Sequence, residues 1–204
     1  LKDFLADQGK LNEKDAVHLI NPLIDALNAI WTSDKIVHRD IKPEKIFLTD
    51  DNQIKFIDVG LAKSLDNEDV ELTGAGFTLG TPNYISPEQA EGADLDFKTD
   101  MYSLGLVFYE LLTGQQAFDG PVMEVLSRQM NEMPTPISEL NSSITERCIK
   151  IIDKMIAKKP AERFGSWDEC REALILLLDC TVMESDLQNF DLSDLIDDDD
   201  EPSM

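Results

Sequence analysis

The sequence predicts a mainly α-helical fold with one small β-hairpin. Three patterns carry that prediction. Apolar residues recur at helical spacing over most of the chain, the stretch 98–113 is apolar on every side, and two short apolar runs flank Asp50-Asp51-Asn52. Composition agrees with a single core-forming domain: 204 residues, 42% hydrophobic, with 10 Gly and 9 Pro. These values exclude collagen-like and low-complexity chains. The apolar run at 173–178 is far shorter than the ~20 residues that span a bilayer. No basic stretch leads into an apolar segment at the start, so no signal peptide is expected.

The elements follow in order. Asn12 caps a helix, with Asp15 three residues on. Ala16, Leu19, Ile20, Leu23, Ile24 and Leu27 then share one face. Pro22 interrupts this run and is expected to kink the helix or split it at Asn21. Residues 46–49 and 54–57 read as a hairpin with an acidic turn. Residues 59–97 lack a clear period, carry Gly74, Gly76, Gly80, Pro82 and Pro87, and read as one long functional loop. The helix at 98–113 is apolar all round and should sit at the domain centre, stopped by Gly114. Amphipathic helices follow near 121–131, 143–157 and 167–180. Pro121 suits the first turn of one, and Ser166 with Glu169 forms a capping box for the last. The domain is therefore placed at 1–180. Residues 181–204 carry nine Asp and Glu and no Lys or Arg, and predict a mobile acidic tail. Phe190, Leu192, Leu195 and Ile196 within it also fit a short docking peptide.

Charge narrows the partners. Eighteen Lys and Arg against 41 Asp and Glu leave a net charge of −23. Nucleic acid and anionic membranes both demand clustered cations and are excluded as expected partners. Cys148, Cys170 and Cys180 fit no zinc spacing and read as buried thiols in a reducing, cytoplasmic setting. His18 reads as a solvated helix residue. Trp31 and Trp167 read as packing residues.

The chemistry concentrates around the hairpin. His38-Arg39-Asp40-Ile41-Lys42-Pro43-Glu44-Lys45 precedes it, and Asp58-Val59-Gly60 follows it. A hairpin returns its ends to one edge, so Asp40 and Asp58 can approach a common pocket. Two carboxylates and a lysine at one site suit phosphoryl transfer: one carboxylate accepts the hydroxyl proton, the other holds magnesium, and the lysine offsets phosphoryl charge.

These segments resemble the C-terminal lobe of a eukaryotic-like protein kinase, in particular the bacterial serine/threonine branch. His38-Arg39-Asp40 is similar to the catalytic-loop motif and Asp58-Val59-Gly60 to the metal-binding triplet. The run from Gly80-Thr81-Pro82 to Ser86-Pro87-Glu88 resembles the end of the activation segment. Asp100-Met101-Tyr102-Ser103-Leu104-Gly105 resembles the start of the central helix, and Arg163 after Lys159-Pro160 resembles the late arginine. The resemblance covers about residues 1–178.

It implies a kinase-like C-lobe that uses ATP and Mg2+ on protein substrates. Asp40 would be the catalytic base, Lys42 would contact the γ-phosphate, and Asp58 would bind magnesium. Gly60 closes the metal-binding triplet. Thr81 would shape the acceptor site with Lys42 and Asp40, favouring Ser/Thr over Tyr. Phe47 would floor the adenine pocket, and His38 would pack rather than transfer protons. Asp100 would hold the catalytic-loop backbone, and Glu88 with Arg163 would form a buried ion pair. Arg39 beside Asp40 implies control by loop phosphorylation, with Thr73 and Thr78 preferred over Ser64 as acceptors.

Three departures qualify the resemblance. No glycine-rich loop, β3 lysine or helix glutamate precedes His38. The chain, which begins at Leu1, is therefore expected to be part of a longer polypeptide whose N-lobe packs on an exposed apolar face, and to be inactive alone. Lys45 stands where the family has a metal-binding asparagine, and its ammonium would neutralise phosphate without coordinating magnesium. Val59 replaces a phenylalanine. Two function classes follow: a serine/threonine kinase segment, or a non-catalytic kinase-like binding module marked by Lys45. Retention of Asp40, Lys42, Asp58 and Thr81 favours the first.

Overall fold

The fold is organised around one buried helix, α4 (Phe97–Thr113). Its side chains from Thr99 to Tyr109 are buried on every side, so the all-round apolar pattern is matched by a central position. The Asp96 side chain accepts the Lys98 N–H at 2.8 Å and caps its start. Gly114 ends it at φ 70°, a left-handed conformation that glycine adopts without strain. The computed structural model describes residues 1–49, 54–56, 63–64 and 82–178, the pair 63–64 by backbone alone.

Helices α2 (Glu13–Asp34), α7 (Glu146–Met155) and α8 (Trp167–Ile175) pack around this centre, α2 against both α4 and α8. Gly105 permits the approach of the α7 end. A Cβ there would stand 2.9 Å from Met155 Cβ and 2.7 Å from Ile156 Cγ2. Gly105→Ala is therefore expected to lower stability by roughly 1–3 kcal/mol through overpacking. The check is the urea midpoint at unchanged slope; an unshifted midpoint would mean that α7 moves aside freely.

The expected Asn12 cap is present, its side chain accepting the Asp15 N–H at 3.0 Å. Pro22 does not split α2, which runs unbroken from Glu13 to Asp34. One donor is lost, but Leu19, Ile20, Leu23 and Ile24 on the same stretch are at most 1% exposed, and their burial outweighs the ~3 kcal/mol propensity penalty. His18 is not solvated. It lies buried on the core-facing side of α2, with Nδ1 2.8 Å from the Lys14 carbonyl.

The remaining helices are α1 (Lys2–Gln8), α3 (Pro87–Glu91), α5 (Val122–Asn131) and α6 (Ile137–Leu140). Residues 59–97 are thus not irregular throughout, since Pro82–Tyr84 forms a 3-10 turn and α3 follows. Ser86 accepts the Gln89 N–H while Gln89 Oε1 accepts the Ser86 N–H, a complete capping box with Pro87 in the first turn. At α8, Ser166 caps as expected, but Glu169 turns instead to the Gly165 N–H at 2.7 Å and to Lys154.

Strands are short. β1 (Ile36–Val37) pairs antiparallel with β4 (Lys63–Ser64). β2 (Ile46–Leu48) pairs antiparallel with β3 (Ile54–Phe56), Ile46 lying opposite Phe56. This is the expected hairpin. Cys148 and Cys170 are buried free thiols; Cys180 and the acidic tail lie outside the described residues. No helix among the described residues is long and apolar enough to cross a membrane.

Candidate active site

The segment between β1 and β2 carries the candidate chemistry, and the first turn of α4 holds it. The Asp100 carboxylate accepts the His38 N–H at 2.7 Å and the Arg39 N–H at 2.9 Å. Burial pushes the Asp100 carboxyl up to about 7, against the opposing pull of those two donors and the Arg39 charge. The His38 ring is 1% exposed, packs on Phe56 at a centroid distance of 5.3 Å, and places Nδ1 3.4 Å from the Asp40 N–H it accepts. Arg39 adopts φ 67°, a left-handed turn, and its carbonyl accepts from Gln89 Nε2 at 2.9 Å. The turn is therefore pinned from both sides, by α4 and by α3.

That pinning presents Asp40 and Lys42 together. Lys42 Nζ stands 2.7 Å from Asp40 Oδ1, with both side chains partly exposed. A carboxylate so held can accept a hydroxyl proton while its lysine partner offers charge to an anion. Pro43–Lys45 then forms a 3-10 turn into β2. Phe47 on β2 is 55% exposed and lines a cavity of about 360 Å³ with Leu1, Phe4, Pro43 and Glu44.

Behind the site, Glu88 meets Arg163 through two hydrogen bonds, 2.6 Å from Nη1 to Oε1 and 2.9 Å from Nη2 to Oε2. Burial by itself would raise the Glu88 carboxyl, but the guanidinium's hydrogen bonds and charge hold it below its usual range. Thr99 Oγ1 also donates to Glu88, at 2.9 Å.

Asp58, Gly60, Thr73, Thr78 and Thr81 lie outside the described residues, and Ser64 is described by backbone alone. The hairpin register brings the chain back beside Ile46 at Phe56, two residues before Asp58. Motif reading missed several neighbours. Gln89 and Thr99 brace the turn and the ion pair. Tyr84 donates to Glu110, whose carboxyl is raised by burial and by the charge of Glu44. Glu44 Oε1 pairs with Lys2 at 3.1 Å, while its buried Oε2 has no hydrogen-bond partner among the described residues. The only advance signal for Gln89 was its place three residues after Ser86.

Comparison with known proteins completes the picture: the model of the protein kinase domain matches residues 1–175. The chain belongs to the protein kinase family. This kinase chain is 35% identical over 177 residues to the serine/threonine-protein kinase PknB of Mycolicibacterium smegmatis, and 34% identical to PknB of Mycobacterium tuberculosis. Each alignment covers 86% of this chain and 28% of the relative. A probable serine/threonine-protein kinase of Clostridium acetobutylicum is 34% identical over 175 residues, covering 85% of this chain and 26% of that protein. The mainly helical architecture agrees with that family. Lys45 has no acceptor atom and does not suit a magnesium ligand.

Proposed function

We propose that the chain is the substrate-facing part of a kinase domain that transfers the γ-phosphoryl group of ATP to Ser or Thr hydroxyls of protein substrates. The observation that carries this reading is the Asp40–Lys42 pair at 2.7 Å, on a turn braced by Asp100 and Gln89. ATP supplies the phosphoryl group, and magnesium offsets its charge. Asp40 orients the acceptor hydroxyl and takes its proton. Lys42 faces the anionic oxygens of the transferred group. Phe47 packs under the base, and Asp58 is the residue proposed to hold magnesium. Thr81 is proposed to line the acceptor pocket, and Arg39 to receive a phosphate on Thr73 or Thr78.

The test joins the 204 residues to the N-terminal lobe of a PknB relative and measures phosphate transfer from labelled ATP to a Ser/Thr peptide mixture. The joined protein is expected to phosphorylate, and the chain alone is not, because no glycine-rich loop or β3 lysine precedes His38 in it. Asp40→Asn should lower the rate by about 10²–10⁴-fold through loss of the proton acceptor. Lys45→Asn should raise the response to high magnesium. A joined protein that binds no magnesium–ATP and transfers nothing would instead favour a binding module, the reading that Lys45 supports.

A further inference from the structure

Lys158 heads a one-way chain of hydrogen bonds that ends on the segment beside Thr81. Its Nζ donates to Tyr102 Oη at 2.8 Å. That hydroxyl donates to Gln129 Oε1 at 2.6 Å. Gln129 Nε2 donates in turn to the carbonyls of Asn83, at 2.7 Å, and Pro82, at 3.3 Å. Tyr102 and Gln129 are 0% exposed, so the middle of the relay is shielded from competition with water.

The head of the relay is chemically unusual. Lys158 Nζ lies 4.8 Å from the Phe118 ring centroid and 5.2 Å from that of Tyr102. Two more cations face the same rings, Arg163 over Tyr102 at 4.8 Å and Arg128 over Phe118 at 5.1 Å. The nearby carboxylates are taken by others: Glu88 by Arg163, Glu132 by Arg128 and Glu162 by Lys159. Lys158 has no ion-pair partner among the described residues, and it is partly exposed. Burial and the Arg163 charge push its ammonium down to about 8, against a weaker upward pull from Glu132. The neutral amine is therefore reached more easily than at an ordinary lysine.

We propose that Lys158 is an acylation site, whose amine takes an acyl group from an acyl phosphate and whose acylation loosens residues 82–85 through the Tyr102–Gln129 relay. The neutral nitrogen attacks the carbonyl carbon. A C–N bond forms, the C–O bond to phosphate breaks, inorganic phosphate leaves with the electron pair, and the amine proton passes to water. The amide product has no charge. It loses its attraction to both rings and the charged donor to Tyr102. This assignment is independent of the phosphotransfer reading.

The 204-residue chain is treated with acetyl phosphate from pH 7 to 10, and each lysine is followed by peptide mass spectrometry. At pH 7.5, Lys158 is expected to acylate at least about fivefold faster than Lys150, which is ion-paired to Glu146 at 2.7 Å, or Lys159. That lead should shrink toward pH 10. A Lys158 rate no higher than that of Lys159 would overturn the assignment. Hydrogen exchange on the acylated chain reads the coupling through the Ile85 N–H, which donates to the Pro82 carbonyl at 3.2 Å. It is expected to exchange at least about fivefold faster after acylation and to stay unchanged in Lys158→Arg. Unchanged exchange on the acylated chain, or equal acceleration at Leu106 in the core, would overturn the coupling.

Discussion

Arg163→Ala is expected to destabilise the chain by roughly 3–5 kcal/mol, because it leaves a buried carboxylate without its partner. All five N–H donors of this guanidinium are used. Besides Glu88, they reach the carbonyls of Ala157 at 2.8 Å, Lys98 at 2.8 Å and Lys158 at 3.1 Å. The side chain therefore ties α3 to the start of α4 and to the turn before α8. Lysine, with three donors on one atom, cannot replace it. For a domain of this size the loss corresponds to a melting-temperature drop of roughly 6–20 °C. Adding Glu88→Gln removes the stranded charge and should recover part of the loss. The linkage sign is specific. The Glu88 carboxyl is depressed in the folded chain, so its contribution is present above the ordinary carboxylate range and is lost as pH falls through the depressed value. Wild-type chain should accordingly lose its advantage over Arg163→Ala in acid. A loss below about 1 kcal/mol at pH 7 would mean that the pair is not an anchor.

The second large effect is at Asp100. Asp100→Ala strands the buried N–H groups of His38 and Arg39, each at a cost of about 1–3 kcal/mol. A total loss of roughly 2–6 kcal/mol is expected, with the exchange of those two amides rising first. Asp100→Asn keeps one acceptor and should cost less. It also isolates a pH effect of opposite sign to that of Glu88. The Asp100 carboxyl sits near 7 when folded, above its ordinary 3.8, so the folded chain holds the extra proton between those values. Stability from this group therefore falls as pH rises from about 4 to 7, by at most about 1.4 kcal/mol per unit. The gap between wild type and Asp100→Asn should widen as pH is lowered through that window. A constant gap would place the Asp100 carboxyl at its ordinary value.

Much of this was legible from residue order. Helical spacing located α2, α4, α5, α7 and α8, because a buried face repeats every turn wherever a helix lies on a core. The hairpin followed from two β-prone runs around an acidic turn, and its register brought the end of β3 back beside the start of β2. The candidate catalytic segment was legible because His38, Arg39, Asp40 and Lys42 fall within five consecutive residues. The roles proposed for them depend on one local turn.

Other features were not local. Pro22 argued against a continuous α2, yet apolar packing on the opposite side of the helix overrode a penalty confined to one residue. His18 carries a polar ring that a helix pattern assigns to solvent, and only the packing of α2 shows that it is covered. The α3 capping box was written in Ser86-Pro87-Glu88-Gln89 but was masked by its setting in a glycine- and proline-rich stretch.

By itself the sequence determined the family, the succession of helices, the hairpin and the Asp40–Lys42 segment, since each depends on residues close together in the chain. The tertiary structure alone decided which distant groups meet. It brought Asp100 under the turn from 61 and 62 residues away, Gln89 onto the Arg39 carbonyl, and Lys158 to the mouth of the Tyr102–Gln129 relay. Those contacts join residues across long separations, and burial strengthens them by excluding water.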